Sequence, residues 1–210
     1  MTSQLALYNE SLAYLGERKL GSLSENREPR RVLDDFYSST VNYCLARGFW
    51  NFAMRAVSMT ASATITPQFG YTFAFEKPSD WVRTFMVSDN ENFYPLLARY
   101  NDEAFVIYCD AAPLYFKYVS NNASYGLNLA AWPETFADYV ALRLAYRAAK
   151  RIKNAGADEV ESLMKQAIRA CSVAGGVDAM DEPPMQPPTG TWAQSRAGQY
   201  RGPRNVAWGR

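Results

Sequence analysis

A chain of 210 residues, 48% hydrophobic and 14% aromatic, can bury a substantial core, and 22 Lys plus Arg against 21 Asp plus Glu leave it close to neutral. It has no histidine, which removes the usual general base, the commonest transition-metal ligand and every Ser/His or Cys/His arrangement. Three scattered cysteines, Cys44, Cys109 and Cys171, each in an apolar stretch, read as buried reduced thiols rather than a disulfide framework or a zinc site.

Leu5, Tyr8, Leu12 and Leu15 recur at steps of three and four, which predicts a helix over 3–15 capped by Thr2 or Ser3 and ended by Gly16. Pro29 suits the first turn of a second helix running to about Arg47, with Val32, Leu33, Phe36, Tyr37, Val41, Cys44 and Leu45 in helical register and Gly48 as its stop. From about residue 55 to 120 the pattern turns to β-branched and aromatic runs. In 69–75, Phe69, Tyr71, Phe73 and Phe75 alternate with smaller residues as in a half-buried strand. Residues 81–87, 104–109 and 114–119 read likewise, separated by the turn-forming PSD, SDNEN and DAAP, so a small antiparallel sheet is expected.

Pro133 opens a third helix to Ile152, apolar around most of its circumference and so expected at the centre. A fourth is predicted from Ala157 to Ala174, with Val160, Leu163, Met164, Ala167, Ile168 and Cys171 as its core stripe, acids at its N-terminus, and Gly175 and Gly176 ending it. Residues 175–210 hold five Pro and six Gly and few aliphatic side chains, a composition expected to stay extended or disordered until a partner orders it. The class is therefore α+β: a mainly helical lobe of about four helices with an inserted small antiparallel sheet and an extended arm. Residues 1–54 supply the first helices, 55–125 the β-rich insertion, 126–176 the helix pair that completes the lobe, and 177–210 the arm. No apolar run reaches the roughly 18 residues of a membrane span, and Met1 to Leu15 mixes Gln4, Asn9 and Glu10 among its apolar residues, unlike a signal peptide. An ordinary soluble protein without a membrane partner is the expectation.

Two stretches carry a likeness: Trp50, Asn51, Phe52 and Ala53 directly after the second helix, then Phe69, Gly70, Tyr71, Phe73, Phe75, Pro78 and Asp80. In order and spacing these resemble the head-to-tail adaptor proteins of short-tailed bacteriophages, the tail tubular protein A family, and the resemblance extends over the opening helix and the helix pair at 133–174. It implies a virion structural protein of the neck, assembled in the cytoplasm of the infected bacterium. Such a protein forms a ring, of twelve copies in this family, under the portal protein ring. The ring extends the channel through which DNA passes without sequence-specific binding, and receives the tail nozzle protein and, as further candidates, tail fibres. It implies no enzymatic activity, cofactor or metal.

The arm has its own pattern. Residues 189–210 contain four arginines and no acid, and taking those arginines away leaves 18 basic side chains against 21 acidic ones. Trp192, Arg196, Tyr200, Arg204 and Trp208 alternate ring and cation every four residues, and in an extended segment positions an even number apart share one side. Rings bury area at small rotamer cost and guanidinium groups pair with carboxylates bidentately, so the strip suits docking on protein, here the portal. An alternative is a nucleic-acid-binding arm, although four arginines without a lysine cluster leave a modest phosphate footprint. A further alternative is a carboxylate-based cell-wall glycan hydrolase. Its candidate pairs, Asp34 with Asp35 and Asp158 with Glu159, are adjacent on helices and point about 100° apart, so neither converges on one bond. Arg143, Arg147, Lys150 and Arg151 read as a solvated face near a helix C-terminus, and Trp50, Phe52, Trp81 and Trp132 as core where lobe meets sheet.

Overall fold

The computed structural model describes residues 2–181. Helix α1 (Gln4–Leu15) starts at Ser3, whose hydroxyl accepts the Ala6 N–H at 3.2 Å, and ends at Gly16 in the left-handed conformation, φ 69°. There Gly16 and Glu17 donate back to Ala13 and Leu12, the paired bonds of a Schellman cap. Helix α2 (Glu28–Ala46) carries Pro29 in its first turn. Helices α3 (Glu134–Ile152) and α4 (Ala157–Met180) form a hairpin.

Helix α3 is the centre of the lobe, because α1, α2 and α4 all pack on it. Phe136, Val140, Leu144 and Ala148 are buried on one edge, and Ala137, Ala141, Ala145 and Ala149 let neighbouring helices approach closely. Full burial of a side chain such as Phe136 contributes about 2–3 kcal/mol. The one polar intrusion from α1, Ser11, is satisfied by the carbonyls of Leu7 at 2.8 Å and Ala141 at 3.0 Å.

The insertion is a pair of sheets rather than one. Strands β1 (Met54–Met59), β6 (Leu114–Ser120) and β3 (Trp81–Ser88) form the first, in the order β1-β6-β3. Strands β2 (Phe73–Glu76), β5 (Val106–Cys109) and β4 (Tyr100–Asp102) form the second, in the order β2-β5-β4. All pairings are antiparallel. Phe75, Ile107, Phe116 and Tyr118 make a second hydrophobic cluster, distinct from that of the lobe.

Two expectations need correction. The half-buried strand predicted over 69–75 begins only at Phe73: Phe69 and Gly70 lie at φ 56° and 76° in a turn closed by the Tyr71 N–H to the Gln68 carbonyl, and Phe69 is 70% exposed. Turn geometry there overrides the aromatic alternation. Likewise Gly175 and Gly176 do not end α4, which continues to Met180, so residues 177–180, assigned to the arm, are helical. A tertiary anchor at Asp178 outweighs the helix penalty of two glycines, about 1 kcal/mol each relative to alanine. Within α4, Leu163 and Ala167 are core, whereas Met164 and Ile168 are surface residues.

Candidate functional site

Of the residues behind the family likeness, Trp50, Asn51 and Phe52 sit where α2 passes into β1. Trp50 is buried and its indole N–H donates to the Cys44 carbonyl at 3.0 Å, tying the end of α2 to the turn Asn51–Ala53 that leads into β1. Its ring, with Phe52 and Trp132, surrounds Phe136 of α3, each at 4.8 Å between centroids. Offset and edge-on rings of this kind add about 0.5–1.5 kcal/mol per pair beyond their buried area. Trp132 donates to the Gly126 carbonyl at 2.8 Å. Asn51 clamps the last turn of α4: its backbone N–H reaches the two Asp178 carboxylate oxygens at 3.0 and 3.1 Å, and its amide donates to the Asp178 carbonyl at 2.8 Å.

Asp80 ties the turn before β3 to β1 and β6. Its carboxylate accepts from Arg55 of β1 at 2.8 Å, from the Tyr118 hydroxyl of β6 at 2.9 Å and from Ser120, while its carbonyl accepts the Asn121 N–H at 2.9 Å. Burial pushes this carboxyl up, but the bonds from Ser120, Arg55 and Tyr118 outweigh burial and hold it below the usual carboxylate range. Pro78 opens the turn before it, accepting the Trp81 N–H at 3.0 Å. Phe69, Gly70 and Tyr71 are not among these residues. They form the surface turn already described, where Tyr71 faces Arg99 at 5.1 Å.

Trp81 also stands apart from the other tryptophans. It packs with the sandwich cluster and covers Lys77, whose ammonium lies 3.9 Å from the ring centroid, donates to the Glu103 carbonyl at 2.6 Å and pairs with Asp102. The Lys77 side chain is 2% exposed, a buried cation that its own stretch of sequence does not announce.

The basic residues of α3 are not a plain solvated face. Arg147 donates to Ser39 at 2.7 Å and Thr40 at 2.9 Å of α2 and lies over Phe36, because α2 is packed along that edge of α3. Arg143 is sandwiched between the rings of Tyr43 and Tyr146, at 4.3 and 4.9 Å, and its Nε is buried with no hydrogen-bond partner among the described residues. Arg151 pairs with Asp35 at 3.4 Å, and of these four Lys150 is exposed and in no ion pair among the described residues. A cleft of about 260 Å³ opens beside Arg143, lined by Tyr43, Arg47, Ile168 and Cys171. Cys44 lies beneath it and burial pushes its thiol up to about 12, and burial likewise raises the Tyr139 hydroxyl. All three cysteines are free, Cys171 only half-buried.

The paired carboxylates are separately engaged. Asp34 takes Tyr8 and Arg30, Asp35 takes Arg151, and Glu159 takes Lys153 at 2.6 Å. Among the described residues, no three His, Cys, Asp or Glu side chains gather to hold a metal ion, and no helix is long and apolar enough to cross a membrane. Trp192, Arg196, Tyr200, Arg204 and Trp208, the strip assigned to docking, lie outside the described residues. Compared with protein-family models and with curated protein sequences, the chain matches none.

Proposed function

We propose that this chain is a head-to-tail adaptor of a short-tailed bacteriophage, a structural protein of the virion neck. In this reading it forms a ring of identical copies, twelve as in the family it resembles, between portal and tail nozzle, and extends the DNA channel. No chemistry is assigned to it, and its mechanism is assembly. The observation that carries the reading is what these resembling residues do: Trp50, Asn51 and Phe52 fix the entry to the insertion on the helical lobe, and Asp80 ties the turn before β3 to β1 and β6. These residues are architectural, so this part of the likeness is one of fold plan rather than of surface composition.

The arm supplies the upstream contact in this proposal. Trp192, Tyr200 and Trp208 bury against the portal while Arg196 and Arg204 pair with its carboxylates, an ordering that costs free energy and so confines binding to the right surface. The test is electron microscopy of the portal protein from the same genome mixed with the full chain or with a chain ending at Asp181. Ending it earlier would remove Asp178 and free Asn51. A second ring under the portal is expected with the full chain and not with the shortened one. No added density with the full chain overturns the adaptor reading, and rings with both chains remove the arm from it.

A further inference from the structure

The cleft between α2, α3 and α4 is lined by apolar side chains together with the exposed Arg47 and the partly buried Arg143. Tyr43 and Ile168 are 42% and 54% exposed beside it. Arg47 and Arg143, which also line it, make no ion pair among the described residues, and the buried Nε of Arg143 has no acceptor. Cations left unpaired around exposed apolar groups call for an occupant that brings carboxylates and apolar side chains together.

The loop after β3 has that chemistry. Asp89 and Glu91 are exposed and in no ion pair among the described residues, and Tyr94 and Leu96 are 67% and 53% exposed. Its shape is held internally: Asn90 N–H donates to the Ser88 hydroxyl at 3.0 Å, Ser88 donates to the Pro95 carbonyl at 2.9 Å, and Phe93 N–H to the Asn90 carbonyl at 3.0 Å. A loop already ordered loses little entropy on docking.

No residue of 89–96 lines the cleft of its own chain. β3 begins beside the lobe, with Trp81 opposite Ser120, and Arg83 donates to the Ala46 carbonyl at 3.1 Å, next to Arg47. Phe85 still packs on Phe49, 4.8 Å between ring centroids, and from there the strand continues for three more residues, about 10 Å, before the loop begins. The Leu97 N–H to the Val87 carbonyl, at 2.9 Å, then holds the far side of the loop to the strand end.

We propose that the 89–96 loop of one copy seats in the α2–α3–α4 cleft of the next, with Asp89 and Glu91 against Arg47 and Arg143, and Tyr94 and Leu96 against Tyr43 and Ile168. Two different surfaces of the chain meet, so the contact is head-to-tail and propagates into a ring where its rotation closes. This rests on the reading of the chain as a ring-former and names the lateral contact.

The experiment is a charge exchange in the full chain, with Arg47→Glu and Glu91→Arg made separately, followed by sedimentation velocity and by imaging of rings on the portal. Both positions are exposed. Each variant should self-associate roughly tenfold more weakly than wild type, and an equal mixture of the two should recover, because each offers the charge the other lacks. Tyr94→Ala should weaken assembly without changing charge, with circular dichroism confirming that it folds. Variants that assemble as wild type does, or a mixture that fails to recover, overturn the contact. Wild-type rings on the portal that both single variants reproduce unchanged reject this contact and leave the adaptor reading standing. Complementation in solution without any ring on the portal supports the contact and removes the adaptor reading. A wild-type chain that stays monomeric both alone and with portal overturns both.

Discussion

Asp80 shows how one side chain sets the acid response of the molecule. Its folded-state carboxyl titrates below the unfolded value of about 3.9, so the stability it contributes is fully present above that value and is lost as pH falls through the folded one. Asp80→Asn keeps the shape but removes the charge that Arg55, Tyr118 and Ser120 converge on. Near neutral pH it should cost about 2–4 kcal/mol, and the gap from wild type should narrow below about pH 4. Denaturant titrations of both chains across that range measure it, and a gap independent of pH would contradict the assignment. Asp80 stands out in the sequence through its Pro-x-Asp setting, but its partners are 25, 38 and 40 residues away, in other strands, and no local pattern connects them. Lys77 was unreadable for a similar reason: Trp81 is near in sequence, but the carbonyls of Glu103 and Ala104 that complete its enclosure lie more than 25 residues away.

At the scale of elements, helices were the most legible feature, because a face buried over three or more turns writes its period many times. The bounds of α1, α2 and α3 follow from Ser3, Gly16, Pro29 and Pro133, whose capping chemistry is local. The end of α4 was not legible: its determinant is Asn51, 127 residues from Asp178. The glycines inside that last turn and a half are a correctable weakness. A Cβ built on Gly175 or Gly176 meets nothing within 4 Å, and neither residue has a positive φ. Gly175→Ala with Gly176→Ala should therefore stabilise the chain by about 1–2 kcal/mol in total, read as a rise in thermal midpoint. An unchanged or lowered midpoint would show that α4 does not need those positions to be helical. In the strand region, the turn at Phe69 and Gly70 hid behind an alternation of rings, a case of one residue type serving two geometries.

For the whole molecule, composition and periodicity sufficed for an α+β plan of lobe and insertion, and did not resolve the insertion into two facing sheets. Sheet faces are chosen by what can be buried together, and Phe75 of one sheet shares a cluster with Phe116 of the other, 41 residues on, which no short window contains. Trp50 belongs to the lobe cluster, and Asp80 binds Tyr118 of the sandwich cluster. The described body is the acidic part of the chain, and the arginines of 189–210 are its counterpart in sequence. Docking through that segment should therefore weaken as ionic strength rises, measured as ring occupancy on the portal across a salt series; occupancy that ignores salt would leave only the aromatic residues as contributors. The central place of α3 bears on how the chain is made. α1 and α2 leave the ribosome first, yet Ser11 finds its acceptor on Ala141, 130 residues later. At about 5–20 residues per second that wait is on the order of ten seconds, and the sandwich, contiguous in sequence, can close on itself meanwhile. The first two helices then present apolar faces with nothing yet synthesised to cover them, so the nascent chain's period of greatest exposure to chaperones and to sister chains is written into the order of its elements.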